Sequence, residues 1–400
     1  MKRLTGLISF FCILGLLSGC GLASQVLNLP ERDSALYGAE PGGQETVEFH
    51  AALYADGVPA VLWGRDQLSV HAQAAYDKIE RAAASRQETP VTVDVDEDEI
   101  QLILTALRMD HPEYFWFDGK ASFLTTSVAG VAIKTECTLS YTMDLPEIQE
   151  AHQNIRQYAA ACLSRLSQDG ARTDYEKIMG VYRYLIETTD YVRSEEDQSI
   201  VSAMVSHRAT CAGYARSFQY LMSELGIPCT LVLGEGLDGE AHGWNVVRCG
   251  GDWYQMDVTW GDPVDPDGTP GSSIQYTYCM ITDEEIRRDH VFADDIRMPE
   301  CTATAYNYYV QTGRQMESWD PESYAGKMTE AAGLGERWFS VRFTDPESYQ
   351  EAVWDLFTEE GIWNALRSSG VSDSQTHVIY SQNDLFYEIS VRLDGEDEGD

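Results

Sequence analysis

The sequence predicts an α+β fold divided into two or three units, and three observations carry that reading. Residues 175–191 place Ile178, Val181, Tyr182, Leu185 and Ile186 on one helical face, and a second helix over 211–226 stops at Gly226 with Pro228 just beyond. Residues 229–233, 243–248 and 253–257 are strand-like, and Gly250-Gly251 joins the last two as a tight antiparallel hairpin. A chain of 400 residues with 44% hydrophobic content also exceeds what one core of about 250 residues usually takes.

Taken in order, residues 1–20 have the parts of an export signal: Lys2 and Arg3, an apolar run over 4–17, then small residues before Cys20. The run is too short to span a bilayer, and no other stretch approaches the ~20 apolar residues that would. Leu17-Ser18-Gly19-Cys20 resembles the bacterial lipobox. That resemblance implies cleavage before Cys20 and lipidation of its thiol, two acyl chains being enough for a stable anchor. The expected location is therefore the outer face of a bacterial cell membrane, with the membrane as a partner through Cys20.

Residues 21–64, with Pro30, Pro41, Gly42 and Gly43 and no sustained periodicity, suit a tether. Residues 65–172 predict an accessory α+β unit: a helix over 66–84, a strand over 91–95 and a helix over 98–109. The aromatic cluster Tyr114, Phe115, Trp116 and Phe117, a β-rich stretch over 122–141 and a helix over 146–166 complete it. The Asp169-Gly170 turn, with Thr173 or Asp174 as a helix cap, opens the central unit over 173–299, which includes a polar loop over 194–198. Residues 300–400 predict a small α+β unit: a strand over 338–343, a helix over 345–366, strands over 376–381 and 385–393, and an acidic tail from Asp394 to Asp400.

The balance of 28 Lys+Arg against 65 Asp+Glu leaves a net charge of -37, which repels phosphate backbones and argues against nucleic acid as a partner. Of nine cysteines, six remain after Cys12, Cys20 and Cys211 are set aside; without regular spacing they are expected to be mostly buried free thiols. No Cys-x-x-Cys or His-Glu-x-x-His occurs, so no metal or organic cofactor is expected. His207, four residues before Cys211, is read as incidental, His111 as part of aromatic packing, and His290 as a surface or inter-unit contact.

Three residues stand out by setting. Cys211 falls where a loop turns into a helix, so the helix dipole favours its thiolate, and the N–H groups at the helix start can bind an oxyanion. His242 begins one hairpin strand and can carry a proton. Asp257 ends the paired strand, and the Gly250-Gly251 turn brings it beside His242, where a carboxylate can orient the imidazole. Tyr214, Trp244 and Trp260 are tentative substrate contacts, and the two tryptophans serve equally well as a groove wall or as core.

Cys211-Ala212-Gly213-Tyr214-Ala215, His242-Gly243-Trp244-Asn245 and Asp257-Val258-Thr259-Trp260-Gly261-Asp262-Pro263 resemble the three blocks of the bacterial transglutaminase-like superfamily. Their order and their spacings of 31 and 15 residues agree with it. Family members often carry Gly-Val before the cysteine, Gln or Glu after it, and Ala between His and Trp; here Ala209-Thr210, Ala212 and Gly243 stand in those places. The resemblance implies a papain-like core, with the cysteine helix packed on an antiparallel sheet bearing His and Asp. It also implies thiol-dependent acyl transfer on peptide or protein amides of the cell envelope, with water or an amine as acceptor. The alternative is a non-catalytic surface-binding module on the same scaffold.

Overall fold

A computed structural model describes residues 61–128, 131–192, 198–237, 239–263, 274–371 and 378–393. The expected export signal with Cys20, the tether as far as residue 60, most of the polar loop over 194–198 and the acidic tail lie outside the described residues. Among the described residues no helix is long and apolar enough to cross a membrane. The fold is α+β, as the sequence predicts.

The first unit opens with α1 (Trp63–Gln67), so the last residues of the expected tether are already helical. Helix α2 (Val70–Ala84) begins where the Ser69 side chain accepts the Ala72 N–H, which divides the expected single helix over 66–84 in two. Strand β1 (Val91–Val93) leads to α3 (Glu97–Asp110), capped by Asp96. Strands β2 (Phe117–Val128) and β3 (Val131–Tyr141) then complete a three-stranded sheet in the order β1-β3-β2. Helices α4 (Leu145–Gln168) and α5 (Asp174–Thr188) each start with a capping box, at Asp144/Glu147 and Thr173/Glu176.

Two-residue strands β4 (Asp190–Tyr191) and β5 (Arg208–Ala209) pair in parallel around α6 (Ile200–Met204), and α7 (Cys211–Glu224) follows directly. Five antiparallel strands in the order β10-β6-β7-β8-β9 form the sheet behind it. They are β6 (Cys229–Gly236), β7 (Ala241–Cys249), β8 (Asp252–Met256), β9 (Cys279–Ile281) and β10 (His290–Phe292), with α8 (Asp283–Ile286) between the last two. The β7–β8 hairpin turns at Gly250 and Gly251, whose φ angles of 61° and 102° suit a tight turn that only glycine enters without strain.

The third unit contains α9 (Tyr308–Gln311), α10 (Pro321–Gly333), α11 (Pro346–Val353) and α12 (Ile362–Ser368). Its sheet has the order β11-β12-β14-β13, from β11 (Gln315–Met316), β12 (Trp338–Phe343), β13 (Tyr380–Asn383) and β14 (Glu388–Arg392). The expected helix over 345–366 is broken between α11 and α12 by the wide turn Trp354–Thr358 and by Gly361. Packing also groups the chain differently from the sequence expectation. One apolar core runs from Leu68 to Tyr309 through the first two expected units, and a separate core holds residues 316–393.

Candidate active site

Helix α7 is buried from Cys211 through Met222, so it is held on every side. The segment before it is fixed by the β4–β5 pairing, in which the Asp190 N–H donates to the His207 carbonyl at 2.8 Å and the Val192 N–H to the Ala209 carbonyl at 2.9 Å. Asn245 Nδ2 on β7 donates to the Ala215 carbonyl at 3.0 Å, and Gln219 Nε2 donates to the Met109 carbonyl at 2.6 Å. The cysteine helix is thereby tied to the central sheet and to the N-terminal unit. Cys211 is its first residue, and no side chain at Thr210 caps the first turn. The first N–H groups of a helix have no intrahelical acceptor and point where an oxyanion would form.

Cys211 and Ala212 are fully buried and pack against Ala241, the residue before His242. The chemistry considered below belongs to the reduced thiol of Cys211. The other six described cysteines, Cys137, Cys162, Cys229, Cys249, Cys279 and Cys301, are free and buried, as expected for thiols that serve as small apolar side chains.

His242 pairs with Gly234 on β6, and its Nε2 lies 2.7 Å from Asp257 Oδ2. Asp257 leaves the end of β8 fully buried, and its Oδ1 accepts the N–H groups of Thr259 and Trp260 at 2.9 and 3.2 Å. Burial opposes its charge, but His242 and His290 overcome that penalty and hold the carboxyl well below the usual carboxylate range. The histidine and carboxylate predicted from the hairpin therefore meet, with Cys211 on the abutting helix start.

The tentative substrate contacts separate. Tyr214 is fully buried, and its hydroxyl is engaged by the Thr189 carbonyl at 2.6 Å and by Asp262, so it braces the loop after Asp257 and cannot face a substrate. Trp244 is also fully buried. Its Nε1 donates to Gln255 Oε1 at 2.8 Å and its ring packs against His290 and Phe292, which makes it core. Trp260 is half-buried with its ring centroid 5.2 Å from that of His242, so it alone of the three keeps an open edge at the site.

His290 is corrected too. It lies on edge strand β10, buried, with Nε2 3.2 Å from Asp257 Oδ2 and Nδ1 2.6 Å from Asp289 Oδ1. The charged run Arg287-Arg288-Asp289 suggested a surface, and a three-residue strand shows no periodicity; the adjacent acid and imidazole were the one available signal. His207 has its Nδ1 2.9 Å from the Thr188 carbonyl, while His111 stacks on Tyr114 with centroids 4.5 Å apart.

Donor atoms of His242, Asp257 and His290 all lie within 4.8 Å of one another, a donor set that zinc accepts. Both Nε2 atoms stand at hydrogen-bond distance from one carboxylate oxygen, Asp257 Oδ2, so the three side chains are joined to one another directly.

A helix-borne cysteine against a sheet-borne His–Asp pair defines the class. Residues 163–258 match the model of the Transglutaminase-like superfamily, so the chain contains a transglutaminase-like domain. A curated relative, the kyphoscoliosis peptidase of Homo sapiens, is 26% identical over 108 residues, covering 23% of this chain and 16% of that protein. The chain therefore aligns with only a small part of that relative's length. Among solved structures, one described as a TGase has a TM-score of 0.26 and 14% identity, covering 42% of this chain and 51% of that one. Another, from Cytophaga hutchinsonii and proposed to be a cysteine protease, has a TM-score of 0.24 and 12% identity, covering 35% and 62%. Overlaps at that level carry no argument here.

Proposed function

We propose that this protein is an exported, lipid-anchored enzyme that transfers acyl groups from peptide or protein amides through a thioester on Cys211. The observation that carries the reading is the 2.7 Å contact between His242 Nε2 and Asp257 Oδ2, made next to the helix that begins at Cys211. With Nε2 committed to the carboxylate, Nδ1 is the nitrogen left to take the thiol proton. The thiolate adds to the amide carbonyl, and the oxyanion is met by N–H groups at the start of α7. His242 returns the proton to the departing amine, leaving the thioester. Water or a primary amine then attacks it, with His242 accepting the incoming proton, and Cys211 is released. Cell-envelope peptides are the substrate class that an anchor at Cys20 makes available.

The test uses the reduced chain without residues 1–20, with casein as acyl donor and dansylcadaverine as amine. Fluorescence fixed into casein identifies transfer to amines, and casein cleavage identifies transfer to water; both should vanish in Cys211→Ala. Neither signal, together with no acyl adduct on Cys211 by mass spectrometry, leaves the binding-module alternative. The anchor is checked separately by mass spectrometry of the full-length protein from membranes, where an unmodified Cys20 would contradict it.

A further inference from the structure

Asp257 Oδ2 faces two imidazoles. His242 Nε2 is 2.7 Å away and His290 Nε2 is 3.2 Å away, while His290 Nδ1 lies 2.6 Å from Asp289 Oδ1. Asp289 is held in turn, its Oδ2 accepting the Tyr278 hydroxyl at 2.7 Å. A carboxylate oxygen accepts hydrogen bonds, and His290 has one at each ring nitrogen, so the arrangement suits a ring that donates from both, an imidazolium. Burial opposes that charge, but Asp257 and Asp289 outweigh it and hold the imidazole above its ordinary value. Among the described residues the titratable groups facing the ring are Asp257, Asp289, His242 and Tyr278, and Trp244 and Trp260 pack on it.

Asp257 thus accepts four hydrogen bonds: two backbone N–H groups on Oδ1 and two imidazoles on Oδ2. A carboxylate offers about four lone-pair sites, so all are used and the group is held against rotation. Resting on the acyl-transfer reading above, we propose that His290, braced by Asp289, is a positioning residue: it fixes Asp257 Oδ2 in the direction that keeps His242 turned toward the Cys211 thiol.

The competing role for His290 is simple filling of the space between Trp244, Trp260 and Tyr278, and the two roles rank substitutions in opposite order. The pH dependence of Cys211 alkylation by iodoacetamide is measured by mass spectrometry in the reduced full-length protein, in His290→Gln and in His290→Phe. Gln keeps an N–H donor, whereas Phe keeps the ring and loses the donor. Positioning predicts that Phe slows labelling at pH 7 at least tenfold and moves the profile toward that of an ordinary thiol, while Gln stays within about threefold of the wild type. A profile for Phe that superimposes on the wild type, or Phe tolerated better than Gln, overturns the proposal. Wild-type Cys211 that labels no faster than an ordinary thiol overturns the acyl-transfer reading instead, so the two failures are distinct. Should the variants not fold, ¹⁵N NMR of the wild type after Cys211 is alkylated supplies the readout. His290 is expected to keep protons on both nitrogens at pH 8, and a neutral ring there overturns the proposal.

Discussion

Phe386 of the C-terminal unit packs edge-on against Tyr278 of the central unit, with ring centroids 5.2 Å apart. Tyr278 is the residue whose hydroxyl holds Asp289, so the C-terminal unit abuts the polar chain that ends at Asp257. The same face is fixed by Arg342 on β12. Its Nε donates to Glu388 at 2.7 Å, one Nη donates to Glu285 at 2.9 Å, and the other to the Thr277 carbonyl. Residues 277, 278 and 285 lie in the central unit, so docking of the C-terminal unit is part of what surrounds the site.

Arg342→Met is therefore expected to destabilise the protein by about 3–5 kcal/mol, because it leaves Glu388, itself only 3% exposed, charged and unpaired by its main partner. Urea unfolding measures the loss. Adding Glu388→Gln should recover a large part of it, and failure to recover would mean that packing of the Arg342 stem, not the ion pair, carries the contact.

Trp244 and Trp260 should respond differently in kinetics. Trp244→Phe removes the N–H that binds Gln255 and should lower the melting temperature while leaving KM for casein unchanged. Trp260→Ala, at the half-buried edge beside His242, should raise KM several-fold. A KM change confined to the Trp244 variant would reverse the assignment.

Asp262 introduces a pH dependence of known sign. Burial pushes its carboxyl up to about 7, its hydrogen bond with Tyr214 opposing the shift. The folded protein then holds this proton where the unfolded chain, at an ordinary value of about 4, has lost it. Its contribution is fully present below about pH 4 and is lost as pH rises toward 7. Asp262→Asn, which stays neutral, should flatten the fall in stability between pH 4 and 7 when denaturant midpoints are compared; an unchanged slope would place the titration elsewhere.

Asp257→Asn should reduce turnover by about four orders of magnitude if the carboxylate sets the His242 tautomer, since an amide can present the wrong partner to the ring. The same substitution also removes the negative charge that His290 faces, so calorimetry should record a lower melting temperature. Turnover within tenfold of the wild type would remove Asp257 from the mechanism.

What the sequence disclosed and what it hid follow from range. A helix cap at Thr173 or Asp174, Gly226 after α7 and Gly250-Gly251 were legible because caps and tight turns are decided by neighbours in the chain. The hairpin register then placed Asp257 beside His242 from spacing alone. Helix α10 was missed although Asp320-Pro321 caps it and Tyr324, Met328 and Ala331 lie on one face; its apolar positions are sparse. The burial of Tyr214 and Trp244 and the meeting of His290 with Asp257 depend on strands distant in sequence, and no local pattern encodes them. The same holds for the core shared by the first two units, where contacts such as Gln219 to Met109 join residues far apart in the chain.

The most direct measurement is the rate at which iodoacetamide labels Cys211 at pH 7 in the reduced protein, read residue by residue by mass spectrometry and repeated in His242→Ala. An activated nucleophile predicts that Cys211 labels well ahead of an ordinary thiol and slows at least 100-fold when the imidazole is removed. Labelling at the ordinary rate, or a rate indifferent to His242, would contradict the account and leave Cys211 as one more buried cysteine of the fold.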